Sequence, residues 1–455
     1  MNRRNLLQAA ATTALAAASG TLTGKALAAS PATPSAKPSS DAFIRAEGSR
    51  FVRHGQTYRY TGANIWYLAW LGTDGSYGDR GRLGRELDRL KAMGVTNVRV
   101  LAGAEESPVK DSIKPGFLRE DGSLNQDLLT GLDYAMAELG KRSMTAVLYL
   151  TNNWEWSGGM MSLLYYATGK YINNNDPAHP WPAFPDYGSA FYSNPEAVKR
   201  NFAYVRMLVS RTNSVTGVRY AEDPTLMSWQ LCNEPRPGVT PSLMKKVLPS
   251  YYKWIADSAA LIRSLDPNHM VSLGMEGTIA TGFREDIVLR AHRGIDYMTA
   301  HIWPLNWSWV DGKDLAGTWD AGKAKVEAYL AQHERLAKTL GKPLVFEEFG
   351  FPRDGELYDP SVPTTFRERY YRLIYAAAEA SLAAGGPVQG TNFWAWNGEA
   401  RAQHGDHHFR DGDTRYMGDP PHEPQGWYGN FDSDTGMIEV ISTHAKAFAS
   451  PEARG

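Results

Sequence analysis

At 455 residues, 43% of them hydrophobic, the chain is long enough for two ordinary domains or for one α/β barrel with long loops, and it has ample material for a core. A formal charge of −1 gives no electrostatic case for nucleic acid or an anionic membrane surface as partner. The 14 Trp and 23 Tyr residues suit flat apolar ligand faces, but large cores consume aromatics too, so composition decides little more.

The first residues read as an address. Arg3-Arg4-Asn5-Leu6-Leu7 precedes an alanine-rich apolar run from Leu6 to Ala18, and Ala26-Leu27-Ala28 offers a small-residue cleavage site. The pattern resembles a twin-arginine export signal over residues 1–28. No later stretch reaches the roughly 18 apolar residues of a membrane span, so a soluble exported protein, periplasmic or secreted, is expected. Residues 29–42 begin rich in Ala, Ser and Pro and read as a disordered linker. The folded domain is expected over residues 43–450. A single cysteine, Cys232, excludes an intramolecular disulfide and reads as small buried filler.

Phe51 to Tyr58 alternates and turns at His54-Gly55, which predicts a small hairpin closing the bottom of a barrel. Strand patterns follow at Tyr58 to Trp66, Thr96 to Gly103, Met144 to Thr151, Leu226 to Asn233, Met270 to Glu276, Ile295 to Trp303, Pro343 to Gly350 and Val388 to Asn397. Between them a helical period runs through Arg82 to Met93, Asn125 to Leu139, Pro195 to Thr212, Ser250 to Leu265, Lys323 to Leu340 and Pro363 to Ala384. Gly94, Gly140 and Gly385 stand as stop signals. Eight strands alternating with helices predict a single (β/α)8 TIM barrel with its site at the carboxyl ends of the strands. Residues 158–194 and 398–431 exceed ordinary loop lengths and would wall a cleft on that rim.

Two of these strands end in Glu. Leu226 to Pro235 is a mostly apolar run that stops at Asn233-Glu234-Pro235, where the proline cannot donate to a sheet ladder. Pro343 to Gly350 ends in Glu347-Glu348-Phe349-Gly350. Adjacent residues of a strand point to opposite faces, so only one of Glu347 and Glu348 is expected to enter the barrel mouth. Two strands ending in Glu, far apart in sequence, suggest a carboxylate pair facing one cleft.

Asn233-Glu234-Pro235 with Glu348-Phe349-Gly350 resembles the signature pair of glycoside hydrolase family 5. Thr151-Asn152-Asn153-Trp154-Glu155, Tyr220 to Thr225, Asn233 to Arg236, Met275-Glu276-Gly277 and Gly390 to Trp394 are similar to its endo-β-1,4-mannanase branch, in chain order over about residues 43 to 446. The resemblance implies a retaining β-1,4-mannosidase acting within mannans, with Glu234 as acid/base and Glu348, selected by Glu-Phe-Gly, as nucleophile. Retention requires the carboxyl groups about 5–5.5 Å apart, against about 6.5–9.5 Å for inversion. It further implies that Arg99 holds the nucleophile ionised, that Asn233 bonds the sugar hydroxyl beside the reacting carbon, that Trp394 floors that sugar's subsite and that Arg236 faces the leaving-group sugars. His301 is a site residue on the same ground.

The family's His-x-Tyr appears here as His301-Ile302-Trp303. An indole donates one hydrogen bond and accepts none, so Trp303 is read as a binding surface and not as the tyrosine's replacement. Trp66, Trp154, Trp307 and Trp427 are candidates to extend the platform. His404, Asp406, His407, His408 and His422 crowd one loop in no closed zinc spacing, and a sugar-contacting loop is expected there, with no metal and no cofactor. The expected partner is a β-mannan or manno-oligosaccharide and the expected state a monomer. An endo-β-1,4-glucanase or other β-glycanase shares the same chemistry, and a noncatalytic carbohydrate-binding barrel would require loss of one carboxylate.

Overall fold

The computed structural model describes residues 38–449; the expected export signal, and the linker up to residue 37, lie outside them. The end of the linker differs from expectation. Ser40–Ala42 form a 3-10 turn whose Ala42 carbonyl accepts a bond from Arg53 Nε at 2.9 Å, so regular structure starts before residue 43. Among the described residues no helix is long and apolar enough to cross a membrane.

Eight parallel strands form the barrel: β1 (Tyr60–Asn64), β2 (Asn97–Leu101), β3 (Thr145–Tyr149), β4 (Leu226–Gln230), β5 (Met270–Ser272), β6 (Met298–Ile302), β7 (Leu344–Phe349) and β8 (Val388–Phe393). They pair in the order β5-β4-β3-β2-β1-β8-β7-β6, and a bridge between Ser272 and Tyr297 brings the two ends of the ladder together. Every residue in them is buried, which is why they read in sequence as near-continuous apolar runs.

A helix of the outer ring follows each strand: α1 (Arg80–Ala92), α2 (Gln126–Lys141), α3 (Pro195–Val209), α4 (Pro241–Leu265), α5 (Glu285–Ala291), α6 (Leu315–Leu340), α7 (Thr365–Ala383) and α8 (Thr435–Phe448); further short helices, Leu68–Leu71, Gly159–Thr168 and Ala183–Gly188, lie in the connections after β1 and β3. Side chains of Asp79, Asn125, Asn194 and Asp314 accept first-turn N–H groups of α1, α2, α3 and α6, supplying the bonds those helix starts lack. Several boundaries depart from the sequence reading: β4, β5 and β8 stop three or four residues short of the runs read for them, and α3 ends at Val209. Helix α4 starts at Pro241 and runs through Pro249, a residue that reads as a breaker. Gly140 lies inside α2 and not beyond its end, while α6 begins at Leu315, with Gly317 in its first turn. The short α5 and the terminal α8 carry no helical pattern that the sequence reading isolated.

The hairpin closes the barrel's amino-terminal end. Arg50–Arg53 pairs with Gln56–Tyr58 across His54 and Gly55, both at positive φ (51° and 73°), and Arg45–Glu47 adds a third antiparallel strand. Phe51 is fully buried and, with Ile44 and Tyr58, packs against Tyr60, Val147, Met227, Met270, Tyr297 and Val345. This apolar plug leaves the other end of the barrel for polar groups.

Candidate active site

Strand β7 carries two adjacent carboxylates. Against β6, Phe346 pairs with Ala300 and Glu348 with His301, so Glu347 is an extra residue without an opposite number. Such a bulge breaks the alternation of faces. Both carboxylates therefore turn inward toward Arg99 and His301, which corrects the expected alternation of faces, although only Glu348 reaches the mouth. They differ in exposure: Glu347 is fully buried, whereas Glu348 lines an open cavity. Gly350 completes the Glu-Phe-Gly run because an indole lies on it; a Cβ there would come within 2.5 Å of Trp303 Cζ3.

Arg99 is the third residue of β2 and is fully buried. Its Nη1 donates to Glu348 Oε1 and, at 3.1 Å, to Asn64 Oδ1. Nη2 donates to Asn233 Oδ1 at 2.7 Å, and Nε donates to Gln230 Oε1 at 2.8 Å while lying 3.5 Å from Glu347 Oε2. The Tyr149 ring lies 4.4 Å from the guanidinium. Burial opposes the charge on Arg99, but Glu347 and Glu348 outweigh it and hold the group protonated.

Past the end of β4 the chain turns sharply at Glu234, whose φ of 53° is a region that residues other than glycine rarely enter. Its N–H donates to the Gly274 carbonyl at 2.8 Å, which anchors the turn. Glu234 Oε1 lies 2.6 Å from His301 Nδ1, and Oε2 accepts a bond from Trp154 Nε1 at 2.5 Å. His301 Nδ1 is also 3.3 Å from Glu348 Oε2, and Nε2 is 3.3 Å from Glu347 Oε2. Burial acts to lower the basicity of this histidine; Glu348, Glu234 and Glu347 together push it well above the ordinary value. Burial acts to raise Glu347, and Arg99 with His301 holds it below the ordinary carboxylate value. Asn233 accepts from Arg99 and donates one amide N–H to Asn152 Oδ1 at 3.0 Å.

A cavity of about 820 Å³ opens over these groups. Glu234, Glu348, Asn233, Arg236, Trp154, Trp303 and Trp394 all line it. Trp394 meets Trp303 edge-on at 5.8 Å between ring centres, and Trp303 meets Tyr428 at 5.0 Å. Arg236 is gripped by both oxygens of Glu276 at 2.7 and 2.6 Å, with the Trp154 and Trp181 rings 5.0 and 5.7 Å from its guanidinium. Both long connections reach the wall as expected: the first supplies Asn174 and Trp181, the second His422, Glu423 and Trp427.

Trp66 is placed differently from the sequence reading. It is 1% exposed, donates to the Gly418 carbonyl at 3.0 Å and packs behind Trp156, so it supports the cavity wall without lining it. Of the histidine-rich loop only His422 reaches the cavity: His404 is tied to Asp413 and Arg410, and His407 to the Gln425 carbonyl. Cys232 is fully buried, and burial pushes its thiol up. Glu276, Gln230 and Glu347 were not singled out for the site from sequence, although Met275-Glu276 has the apolar-run-then-carboxylate shape of the two strands that were. Burial pushes the Glu276 carboxyl up to about 7, with Arg236 opposing and Glu234 adding to the rise.

Glu234, His301 and Glu348 each offer one atom within 4.8 Å of the others, the spacing of a set that could hold an ion. These atoms already meet as hydrogen-bond partners, and the arrangement can equally pass a proton between an acid and a carboxylate held beside it.

Residues 41–453 match the family model described as GH family 5 β-mannosidase-like. A putative mannan endo-1,4-β-mannosidase 9 of Oryza sativa subsp. japonica is 30% identical over 367 residues, covering 77% of this chain and 81% of the relative. A glycoside hydrolase family 5 mannosidase from Rhizomucor miehei superposes with a TM-score of 0.81 at 30% identity, over 90% of this chain and 98% of that one. A mutant of a Rhizomucor miehei family 5 mannosidase in complex with mannosyl-fructose matches at 31% identity and a TM-score of 0.79, over the same shares of the two chains. With a barrel of the expected kind, two inward carboxylates beneath an aromatic-walled cavity and a family match along nearly all of the described residues, the chain belongs to glycoside hydrolase family 5, in its β-mannosidase-like group.

Proposed function

We propose that the protein is a retaining glycoside hydrolase that cleaves β-1,4-mannosidic bonds in mannans, galactomannans and glucomannans after export to the periplasm or the medium. The observation that carries this reading is the pair Glu234 and Glu348, with an oxygen of each within 4.8 Å of the other. That approach suits the narrow gap of about 5–5.5 Å between carboxyl groups in retaining sites, not the wider gap that leaves room for a water. Glu348, bonded to Arg99, attacks the anomeric carbon while Glu234 protonates the departing oxygen. Water then opens the glycosyl-enzyme ester, giving its proton to Glu234.

Asn233 has one amide N–H left for the hydroxyl beside the reacting carbon. Trp394 offers that sugar an apolar face and an N–H without a protein partner. Arg236, Trp154 and Trp181 form the wall for the leaving-group sugars. The names of the curated relatives favour mannan over glucan and cleavage within the chain. Reducing-sugar release from linear mannan, galactomannan, glucomannan and carboxymethyl-cellulose in parallel tests the reading, with NMR of the first-formed anomer. Release from cellulose alone would move the specificity to glucan, an inverted anomer would sink the double displacement, and silence on all four would favour a binding-only barrel.

One set of observations favours action at chain ends. Glu423 Oε2, His422 Nδ1, Trp394 Nε1 and Trp427 Nε1 are buried without partners, and all four residues line the cavity. Buried polar atoms seek hydrogen bonds, and free hydroxyls of a terminal mannose would provide them. The cavity volume also lies within the range of about 300–1,000 Å³ usual for clefts and cavities that bind small molecules. Mannose as the sole early product from mannohexaose is the outcome this second reading requires; a spread of oligosaccharides would rule it out.

A further inference from the structure

Glu347 has no task in the double displacement, yet it is bound into the same cluster. Its oxygens accept bonds from Gln230 Nε2, both at 2.8 Å, and Arg99 Nε lies 3.5 Å away. This fully buried carboxyl group is thus met by donors and stands as an ionised acceptor. The ring nitrogen opposite it, His301 Nε2 at 3.3 Å, must then be the donor. On its other side the same ring turns Nδ1 to Glu234 at 2.6 Å and to Glu348 at 3.3 Å. A neutral imidazole carries one N–H, and three carboxyl groups face two nitrogens here.

We propose that Glu347 is a positioning residue that holds His301 as an imidazolium, its Nδ1–H turned to Glu234 and Glu348, so that the carboxylate Glu234 becomes on giving up its proton is stabilised as it forms. This rests on the double-displacement reading above. The charges explain the assignment. Arg99 and His301 supply two positive charges, Glu347 and Glu348 two negative ones. When Glu234 gives that proton to the glycosidic oxygen, the C–O bond breaks and its electron pair leaves with the alcohol. The carboxylate then formed already faces the N–H groups of His301 and Trp154. The water that opens the ester restores the proton. The bulge in β7 is what makes this possible, because without the extra residue Glu347 would face away from the barrel interior.

The test compares kcat/KM of wild type and Glu347→Gln on mannobiose and on 2,4-dinitrophenyl β-mannoside, together with the imidazole N–H resonances of His301 in the wild type. Those resonances are assigned by their absence from His301→Gln. Mannobiose needs a protonated leaving group and the dinitrophenyl substrate does not, so the variant should lose ~10²-fold on the first and little on the second, within the span of general acid catalysis. The wild type should show two N–H resonances from His301 at neutral pH and Glu347→Gln only one. Equal losses on both substrates would reduce Glu347 to packing and overturn the proposal. A single N–H in the wild type would overturn it whether or not the variant folds. If the wild type leaves mannobiose intact but cleaves mannan, mannohexaose takes the place of mannobiose; if it cleaves none of these, the hydrolase reading fails, and the resonances alone then decide for or against the role of Glu347.

Discussion

Replacing Arg99 with lysine tests whether one guanidinium both builds the site and stabilises the barrel. Arg99 donates from three nitrogens to Glu348, Asn64, Asn233 and Gln230 and lies over the Tyr149 ring, with no exposed surface. Lysine brings three N–H groups on a single nitrogen and cannot span those four acceptors. Each buried acceptor left unmet costs about 1–3 kcal/mol, and disrupting a buried ion pair about 3–5 kcal/mol. A loss of about 3–5 kcal/mol corresponds to a fall in melting temperature of roughly 6–10 °C at ~2 °C per kcal/mol for a large domain. The same change frees Glu348 from its fixed position, and a misplacement of about 1 Å costs ~10²-fold in rate. Thermal unfolding and kcat/KM on dinitrophenyl β-mannoside, measured on one preparation, check both. If Arg99→Lys melted within ~2 °C of wild type and kept most of its activity, Arg99 would not be the organising group.

The other predictions concern the carboxylates and the long loop. Glu348→Ala should remove turnover while oligosaccharide binding, followed by calorimetry, persists; Glu234→Ala should slow natural mannosides far more than activated ones, and loss of turnover in Glu347→Ala but not in Glu348→Ala would invert the assignment. Glu105 is buried and accepts bonds only from Gly159 N and Thr151 Oγ1, and burial pushes its carboxyl up to about 8. A raised carboxyl favours the fold below its unfolded value of 4.5 and loses that contribution as pH rises to about 8. Denaturant unfolding at pH 5 and pH 8 should therefore show wild type losing up to about 4 kcal/mol more than Glu105→Gln over that interval, and parallel losses would count against the raised carboxyl. Asp419 accepts bonds from Tyr428 N, Gly429 N and Gly426 N at 2.6, 3.0 and 2.8 Å, tying down the loop that carries His422 and Glu423. Asp419→Ala should raise KM for mannobiose more than it lowers kcat, and an unchanged KM would show that the loop holds its shape without this group.

The barrel was legible because its strands are buried on both faces, which leaves continuous apolar runs, and because Gly94 and Gly385 stand just past the ends of α1 and α7. Glu234, Asn233 and Glu348 were legible because each follows such a run where the strand gives out. What the sequence hid has local causes. Trp66 looks like any strand-end tryptophan, and only the packing of Trp156 in front of it takes it away from the cavity. Pro249 reads as a helix breaker, but α4 runs through it. His422 and Glu423 sit in a loop whose path is set by Asp419, Asn397 and backbone N–H groups many residues apart, for which no periodicity exists.

Glu347 was hidden for a more instructive reason. Alternation of faces is the rule by which a strand is read, and it assigns Glu347 to the outside as soon as Glu348 is placed inside. One extra residue on β7, opposite nothing on β6, suspends that rule at the point where the chemistry lies. The consequence is a layered interior: an apolar plug around Phe51 at the amino-terminal end, a buried polar layer of Arg99, Gln230 and Glu347, then Glu234 and Glu348 at the cavity. The middle layer is fully buried, yet it meets Glu348, Asn233 and His301 directly and so sets their aim. Glu347→Gln, which removes a charge from that layer at nearly unchanged volume, should alter the reaction without altering the shape of the cavity, which separates it in kinds of effect from changes in the aromatic wall. That difference is open to measurement, because the wall acts on KM through the sugars it holds and the buried layer acts on the proton that Glu234 gives up.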